Sequence, residues 1–291
     1  MKRFAVIGHP VAHSLSPLLH GKAYDLLHLD CGYETFDIPP EALPAALRDF
    51  QAQGFTGLNV TLPHKEAIAK LVESVTDEAG AVGAVNTILF RGNLIAGDNT
   101  DVYGFAASVE PVRESIEGRT VLLLGAGGSA RAVVYALLSR FKPAEIVVAN
   151  RDEDRGRELL RHFAHRAGGV DLKSGSLEPA KLSSLLDRAG LIVNCTSLGL
   201  SPAVDGCPVK EGTLFRSDQV VVDLIYTPLQ TRLLALATES GARTISGLEM
   251  FLHQGARSFE LWLGQPMPID AIRPVIVHEL ERQQKESRQH P

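Results

Sequence analysis

The stretch TVLLLGAGGSARAVVYALLSR, residues 120–140, decides the fold. A short apolar run is followed by a glycine-rich turn and then by an apolar pattern with helical spacing, which predicts a strand, a turn and a helix. In that context the pattern G-x-G-x-x-A indicates a dinucleotide-binding loop. The loop consists of Gly125, Ala126, Gly127, Gly128, Ser129 and Ala130.

Each small residue of this loop has a physical purpose. Gly125 allows the tight turn, Gly127 lets the backbone approach a pyrophosphate, and Ala130 lets the helix pack closely on the strand. The alternative is a tight strand-to-helix turn with nothing bound. A dinucleotide implies hydride transfer, so the first ~110 residues are expected to hold the substrate.

The rest of the chain alternates short strands with amphipathic helices, which is typical of α/β proteins. Three apolar runs after the loop, at 145–150, 191–196 and 219–226, predict buried parallel strands, and a last strand is predicted at 243–247. Before the loop, strands are predicted at 4–8, 33–38 and 57–61, a hairpin across 84–97, and helices at 17–28, 40–54 and 101–109. Helices are also predicted at 247–264 and 269–284, followed by a frayed tail.

The length of 291 residues favours two domains, and the polar segment 111–118 is a plausible hinge between them. The net charge of −5, without a basic stripe, argues against a nucleic-acid partner. No apolar run approaches the ~20 residues that span a bilayer, and the N-terminal apolar run is too short for a signal peptide. We therefore expect a cytoplasmic protein without a membrane partner.

No metal site is expected. The three cysteines, Cys31, Cys195 and Cys207, form no C-x-x-C pair and suggest neither a disulfide framework nor a zinc site. His9 and His13 have helical metal-ligand spacing, but Gly8 and Pro10 make a helix there improbable.

The end of the second strand after the loop indicates which dinucleotide binds. An NAD-binding unit usually places an acid there, whereas this chain has Arg151, with Arg155 one helical turn later. Two guanidinium groups match a 2′-phosphate in charge and geometry, which favours NADP over NAD. The acids at 152–154 argue the other way because they repel a phosphate.

Two features of the first domain suggest substrate chemistry. Lys65 falls in the first turn of the helix that Pro63 is predicted to open, where the helix dipole disfavours a cation, and Asp101 opens another helix. If the two side chains meet, they could pass a proton to a carbonyl oxygen as hydride arrives. In HSLSPLLH, Ser16 is predicted to cap a helix with Pro17 as its first residue, and the same helix start with Ser14 could hold a carboxylate or phosphate.

Eight motifs in order and spacing resemble the shikimate dehydrogenase family, over about residues 4–264. They are GHPVAHSLSP (8–17), NVTLPHKEAI (59–68), GAVNTI (83–88), GDNTD (97–101), LLGAGGSARA (123–132), NRDEDR (150–155), NCTSLG (194–199) and GLEMFLHQGARSFELW (247–262). The family reduces 3-dehydroshikimate to shikimate with NADPH, in aromatic amino-acid biosynthesis. The resemblance implies a substrate domain of residues 1–110 and 248–291, an NADP-binding Rossmann domain of residues 111–247, and a cleft between them.

The resemblance also implies roles for matching residues. Lys65 and Asp101 would be the catalytic pair, and Ser14 and Ser16 would bind the substrate carboxylate. Further substrate contacts would come from Asn59, Thr61, Asn86, Tyr226 and Gln254. Beyond the glycine loop, cofactor contacts would come from Asn150, Arg151, Arg155, Thr196, Leu224 and Gly247.

Departures from the family pattern leave alternatives open. Many members have Asn-Arg-Thr where this chain has Asn-Arg-Asp, so Asp152 puts strict NADP preference in question. The rivals are a quinate/shikimate dehydrogenase using NAD, and a non-catalytic regulator that binds NADP and shikimate. The paired serines favour shikimate, because quinate has a bulkier C1. The expected assembly is a monomer or homodimer.

Overall fold

A computed structural model describes residues 1–289, with side chains for residues 1–286. The strands are β1 (Lys2–Gly8), β2 (Cys31–Asp37), β3 (Gly57–Val60), β4 (Ser74–Val75), β5 (Thr87–Arg91), β6 (Leu94–Asp98), β7 (Thr120–Leu124), β8 (Glu145–Asn150), β9 (Asp171–Ser176), β10 (Ala189–Asn194), β11 (Val220–Asp223) and β12 (Arg243–Ile245). The α-helices are α1 (Ser16–Leu26), α2 (Leu43–Ala52), α3 (Lys65–Ile68), α4 (Asp77–Val82), α5 (Thr100–Val109), α6 (Gly128–Ala136), α7 (Glu153–Phe163), α8 (Pro179–Arg188), α9 (Arg232–Glu239), α10 (Gly247–Leu263) and α11 (Ile269–Gln289). None of the described helices is both long and apolar enough to cross a membrane.

The chain divides into two compact units, each with a six-stranded sheet. The first unit comprises residues 1–104 and 252–279, and the second comprises residues 105–251 and the chain from residue 280. The predicted substrate domain, 1–110 with 248–291, differs at its internal limits by a few residues and includes the end of α11, which groups with the second unit. Its last two residues lie outside the described ones.

The first unit has a mixed sheet in the order β2-β1-β3-β5-β6-β4. β1 runs parallel to β2 and β3, β5 is antiparallel to β3 and β6, and β4 is parallel to β6. The predicted hairpin is confirmed as β5 and β6, with Gly92 at φ +62° in its turn. Because β1 and β3 run side by side, their carboxyl ends bring the segments after Gly8 and after Val60 to one edge.

The second unit has a fully parallel sheet in the order β12-β11-β10-β7-β8-β9. Counted from β7, this is the order of a doubly wound dinucleotide-binding fold, which reverses between β7 and β10. β7 and β10 are almost wholly buried, as strands with helices on both faces must be. The predicted fold class, an α/β substrate domain with a Rossmann-type domain, is confirmed.

Several local predictions were wrong in detail. α1 begins with Ser16 itself, preceded by Leu15 at the cap position, so Ser16 is not the capping residue and Pro17 is second. Pro63 lies in a turn ahead of α3 rather than opening it. α11 continues to residue 289 instead of ending at 284. The predicted hinge is largely a 3₁₀ turn, Glu110–Ser115, with Val112 and Ile116 buried.

The region between β8 and β10 holds α7, β9 and α8, none of which is among the predicted helices and strands. α7 is a strongly charged helix that buries only a narrow face, including Leu159, Leu160 and Phe163. β9, DLKSGS, is a polar strand at the edge of the sheet. The buried positions of α7 (156, 159, 160 and 163) do follow helical spacing, whereas β9 has one apolar residue and no alternation that would reveal a strand.

Candidate active site

The start of α1 holds the predicted pair of serine hydroxyls. The backbone N–H of Ser16 donates to Ser14 Oγ at 3.3 Å, and the two hydroxyl oxygens lie 3.2 Å apart. In the first helical turn the Ser16 N–H is already bonded, Pro17 has no N–H and the Leu19 N–H donates to the Leu15 carbonyl, which leaves the Leu18 N–H as a further donor at the same place. The structure thus brings both hydroxyls together at a helix N-terminus, an arrangement that suits a carboxylate.

Lys65 and Asp101 form an ion pair. Lys65 Nζ donates to Asp101 Oδ2 at 2.6 Å, and the side chains are 12% and 6% exposed. Lys65 begins α3 and Asp101 is the second residue of α5, so two helix starts deliver the pair. An ammonium has three N–H donors, and one is directed at the carboxylate, so the lysine can also donate to a substrate oxygen.

Asn86 holds the carboxylate from its other side. The backbone N–H of Thr100 donates to Asn86 Oδ1 at 2.7 Å, which fixes the side-chain amide so that Nδ2 faces the carboxylate. Asn86 Nδ2 donates to Asp101 Oδ1 at 2.9 Å and to Thr100 Oγ1 at 3.0 Å. Thr87 Oγ1 donates to Asn86 Oδ1 at 3.0 Å, so the amide of Asn86 is fully occupied by protein partners.

Asn59 is the centre of a second buried set of hydrogen bonds. Its Oδ1 accepts from the Tyr33 hydroxyl at 2.7 Å, and its Nδ2 donates to Ser258 Oγ at 2.9 Å. Ser258 Oγ lies 2.8 Å from Thr87 Oγ1 and 3.1 Å from Thr100 Oγ1. These contacts connect Asn59 through hydroxyl groups to the amide of Asn86.

Sequence reasoning missed Thr87, Thr100 and Ser258. Thr87 and Thr100 follow or precede assigned residues inside the motifs GAVNTI and GDNTD, where a run of polar residues beside buried strands was the available signal. Ser258 lies one helical turn after Gln254 on α10, and its hydroxyl donates to the Gln254 carbonyl at 3.1 Å. Nothing in the sequence distinguishes it from an ordinary helical serine.

Thr61 and Gln254 lie in the first unit, beside other residues of the site: Thr61 follows β3, which carries Asn59, and Gln254 lies on α10, which carries Ser258. Thr61 directly follows β3, and its backbone N–H donates to the Ile7 carbonyl at 2.9 Å, which ties the end of β3 to β1. Gln254 lies on α10, beside Gly255, where a Cβ would come 2.4 Å from Leu19 of α1. That glycine therefore lets α1 and α10 pack closely. Within the described residues, no hydrogen bond joins Ser14 or Ser16 to Lys65 or Asp101.

The glycine loop follows β7 and leads into α6. Gly125 has φ +105°, and a Cβ there would lie 2.8 Å from Thr196 Cγ2. A Cβ on Gly127, the cap residue of α6, would meet open space. Ala130 is fully buried, as the packing argument required. The loop thus offers open space above the free first-turn N–H groups of α6, beginning with Gly128 and Ser129, and this fits a pyrophosphate.

The end of β8 carries the predicted 2′-phosphate residues. Arg151 and Arg155 are both exposed. Asp152 caps α7, since its Oδ1 accepts from the Asp154 N–H at 3.0 Å, and the Asn150 Nδ2 donates to the Asp152 carbonyl at 2.7 Å. Asp152, whose charge disfavours NADP, therefore has a structural role as a helix cap, and threonine could also fill that role.

The remaining predicted cofactor residues lie at the carboxyl edge of the same sheet. Thr196 follows β10 and Leu224 follows β11. A Cβ on Gly247 would lie 2.2 Å from the Leu224 carbonyl, so only glycine fits. The Tyr226 ring stacks on Phe251, with centroids 4.5 Å apart.

Two titratable groups near these segments are poor reactants. Burial lowers the pKa of His20 to about 3, so its imidazole, stacked 4.5 Å from the Tyr33 ring, is neutral. Burial also raises the pKa of the Cys195 thiol, so it is no thiolate nucleophile. Among the described residues, no group of three His, Cys, Asp or Glu could hold a metal ion.

Three family models match the chain in succession. They are the shikimate dehydrogenase substrate binding domain at residues 6–88, shikimate/quinate 5-dehydrogenase at 108–224 and the shikimate 5′-dehydrogenase C-terminal domain at 247–276. The shikimate dehydrogenase (NADP(+)) of Symbiobacterium thermophilum is 39% identical, covering 96% of this chain and 94% of that protein.

Solved structures agree with these matches. The shikimate 5-dehydrogenase of Thermus thermophilus, in complex with NADP(H) and shikimate, has a TM-score of 0.81 and 37% identity over 97% of this chain and 99% of that chain. Quinate dehydrogenase from Corynebacterium glutamicum, in complex with NAD, has a TM-score of 0.85 and 27% identity over 95% and 99% of the two chains. The chain belongs to the shikimate dehydrogenase family of oxidoreductases.

Proposed function

We propose that this chain catalyses the reversible reduction of 3-dehydroshikimate to shikimate with NADPH. The observation that carries the proposal is the Lys65–Asp101 ion pair at 2.6 Å, nearly buried and held from behind by Asn86. A ketone reduction needs a proton donor fixed near the carbonyl oxygen, and a lysine held by an ionised aspartate supplies one.

The proposed substrate orientation begins at α1. The hydroxyls of Ser14 and Ser16 donate to the ring carboxylate, supported by the Leu18 N–H and the positive end of the helix dipole. Thr61 and Gln254 contact ring hydroxyls, and Tyr226 acts at the carboxylate end. For Asn59 and Asn86, the occupied side-chain amides support a holding role, so their predicted substrate contacts would require an exchange of partners.

The proton and the electron pair follow separate routes. NADPH supplies a hydride, which is two electrons and one hydrogen nucleus, to the carbonyl carbon. Lys65 donates a proton, or a strong hydrogen bond, to the oxygen as it becomes an alkoxide. Asp101 keeps the ammonium aimed and stabilises its charge. One proton is consumed per ketone reduced, and in the reverse direction the same lysine accepts it.

The geometry of the residues that are predicted to bind NADP suits that cofactor. Open space at Gly127 and the free N–H groups at the start of α6 suit the pyrophosphate, and the exposed Arg151 and Arg155 suit a 2′-phosphate. The second candidate is a quinate/shikimate dehydrogenase that uses NAD. Asp152 favours it, because a carboxylate beside a 2′-phosphate repels it.

A spectrophotometric assay separates the candidates. Shikimate and quinate are each offered with NADP and with NAD, and the absorbance of the reduced cofactor is followed. We expect the highest kcat/KM with shikimate and NADP. A higher value with quinate or NAD would establish the second candidate, and binding of NADP and shikimate without turnover would establish the regulator.

Assembly and location stay predictions. We propose a monomer or homodimer that works in the cytoplasm on small molecules, without a nucleic-acid or membrane partner. Sedimentation of the purified chain at several concentrations would distinguish monomer from dimer.

A further inference from the structure

Asp223 is a buried carboxylate that the proposed mechanism does not use. It ends β11 and is fully buried. Its Oδ1 accepts from Asn194 Nδ2 and from the Ile225 N–H, both at 3.0 Å, and its Oδ2 accepts from the Thr231 hydroxyl at 2.7 Å. Three separate segments of the chain therefore meet at one side chain.

The first segment follows β10 and includes Thr196. Asn194 Oδ1 accepts from the Thr196 N–H at 3.0 Å and from the Thr196 hydroxyl at 2.7 Å. Those two bonds fix the amide so that Asn194 Nδ2 faces Asp223. Thr196 lies directly against the glycine loop, with Cγ2 2.8 Å from the place where a Cβ of Gly125 would be. The carboxylate thus acts on the loop through two intermediate side chains, Asn194 and Thr196.

The second segment follows β11 itself. The Leu224 N–H donates to the Asn194 carbonyl at 3.1 Å, and the Ile225 carbonyl accepts from the Gly247 N–H at 3.1 Å. Asp223 holds the Ile225 N–H, so three backbone groups of residues 224 and 225 are held in place. Leu224, predicted to contact the nicotinamide, lies on this segment, and Tyr226, predicted to contact the substrate, directly follows it.

The third segment is the start of α9. The Thr231 hydroxyl caps this helix by accepting from the Leu234 N–H at 3.3 Å while it donates to Asp223. Thr231 is 1% exposed. The chain from 224 to 231 is therefore fastened to the same carboxylate at its beginning and at its end.

Stability alone does not explain this residue. No lysine or arginine of the described part of the chain forms a salt bridge with Asp223, and burial raises its pKa to about 6. A buried charge without a cation is costly, and a neutral side chain would avoid that cost. The carboxylate accepts three hydrogen bonds at once, which a neutral side chain of that size does less well.

We propose that Asp223 is a positioning residue for the dinucleotide, which holds Thr196, Leu224 and the glycine loop in the arrangement that binds NADPH. This inference rests on the proposed function, because it assumes NADPH binding at the carboxyl edge of this sheet. It assigns Asp223 no contact with the cofactor and no part in proton transfer.

The test compares Asp223→Ala and Asp223→Asn with the parent and with Asp218→Asn. Asp218 is an exposed carboxylate of the same unit, paired with Arg119 and Arg216. The equilibrium Kd for NADPH is measured by fluorescence titration without substrate, together with the Kd for shikimate without cofactor and the thermal unfolding midpoint. Should Asp223→Ala fail to fold, Asp223→Asn and Thr231→Val carry the test; Thr231→Val frees Oδ2 and also removes the cap of α9, so its unfolding midpoint is measured beside its Kd.

For Asp223→Ala we expect the Kd for NADPH to rise ~10-fold, the lower end of the effect seen when a residue that orients a metal ligand is removed. Asp223→Asn should recover part of that loss, and the Kd for shikimate should rise less than the Kd for NADPH in both variants, because Tyr226 is the one proposed substrate contact next to a segment that Asp223 holds. Variants that lose thermal stability but bind NADPH like the parent would show a merely structural role and overturn the inference. A parent chain that does not bind NADPH at all would instead refute the proposed function.

Discussion

Replacement of Lys65 by methionine separates catalysis from stability. Methionine keeps the aliphatic volume but removes the ammonium that lies 2.6 Å from Asp101 Oδ2. Loss of a positioned proton donor lowers turnover by ~10²–10⁴-fold. The variant also leaves a carboxylate that is only 6% exposed with Asn86 as its remaining partner. Breaking a buried pair costs about 3–5 kcal/mol of unfolding free energy, and because Lys65 is 12% exposed we expect a value near the lower end.

The double variant Lys65→Met/Asp101→Asn sharpens this prediction. With no buried charge left unpaired, the double variant should regain much of the stability while its turnover stays as low as that of Lys65→Met. Turnover is read as initial rate at saturating shikimate and NADP, and stability by urea unfolding. Lys22→Met is the matched control, since the Lys22–Asp25 contact is 3.6 Å long and largely exposed, and it should change stability by less than about 0.5 kcal/mol. A folded Lys65→Met enzyme that keeps more than about a tenth of its turnover would remove Lys65 from the proton transfer.

Three further predictions concern cofactor choice, packing and pH. Asp152→Thr keeps a hydroxyl cap on α7 and removes a negative charge beside Arg151, so the ratio of kcat/KM for NADP over NAD should rise about 2- to 5-fold. Glu158→Gln on the same helix is the control. An unchanged ratio in Asp152→Thr would show that Asp152 does not affect the choice of cofactor. Trp262→Phe removes the 2.9 Å hydrogen bond from the indole N–H to the buried Ile88 carbonyl and should lower the unfolding free energy by about 1–3 kcal/mol in urea titrations. A variant as stable as the parent would contradict this prediction. Burial raises the pKa of Asp223 from 3.8 to about 6, so the folded state binds this proton more tightly than the unfolded state. The unfolding free energy should therefore fall by about 2 kcal/mol as pH rises from 4 to 6. Asp223→Asn should flatten that slope in urea titrations across this range, whereas equal slopes would contradict the pKa.

The arrangement of the two asparagines changes how the site is understood. Asn59 and Asn86 were predicted as substrate-lining residues because they match positions with that role in the family the chain resembles. In the structure both are buried, and their amides are occupied by Tyr33, Ser258, Thr100 and Asp101. They form the support on which the ion pair rests. Such a support keeps a catalytic pair within the narrow range of geometry that proton transfer needs.

Much of this protein is determined by the sequence alone. The strand, glycine turn and helix at 120–140 predicted the dinucleotide fold, because a tight turn, a close backbone approach and a close helix contact each require a small residue at a fixed spacing. The eight motifs predicted the shikimate dehydrogenase family and NADP dependence, and the matches to curated relatives confirm both. These features are local in the chain, so one sequence contains them whole.

Only the tertiary structure decided which distant groups meet. Lys65 and Asp101 are 36 positions apart, Asn59 and Ser258 are 199 apart, and Asn194 reaches Asp223 across 29 residues. Hydrogen bonds act over about 3 Å, whereas sequence spacing constrains distance only within one helix or strand. Strand order and helix packing bring these groups together, and that is why Thr87, Thr100, Ser258 and Asp223 stayed invisible until the fold placed them beside partners that the motifs had already indicated.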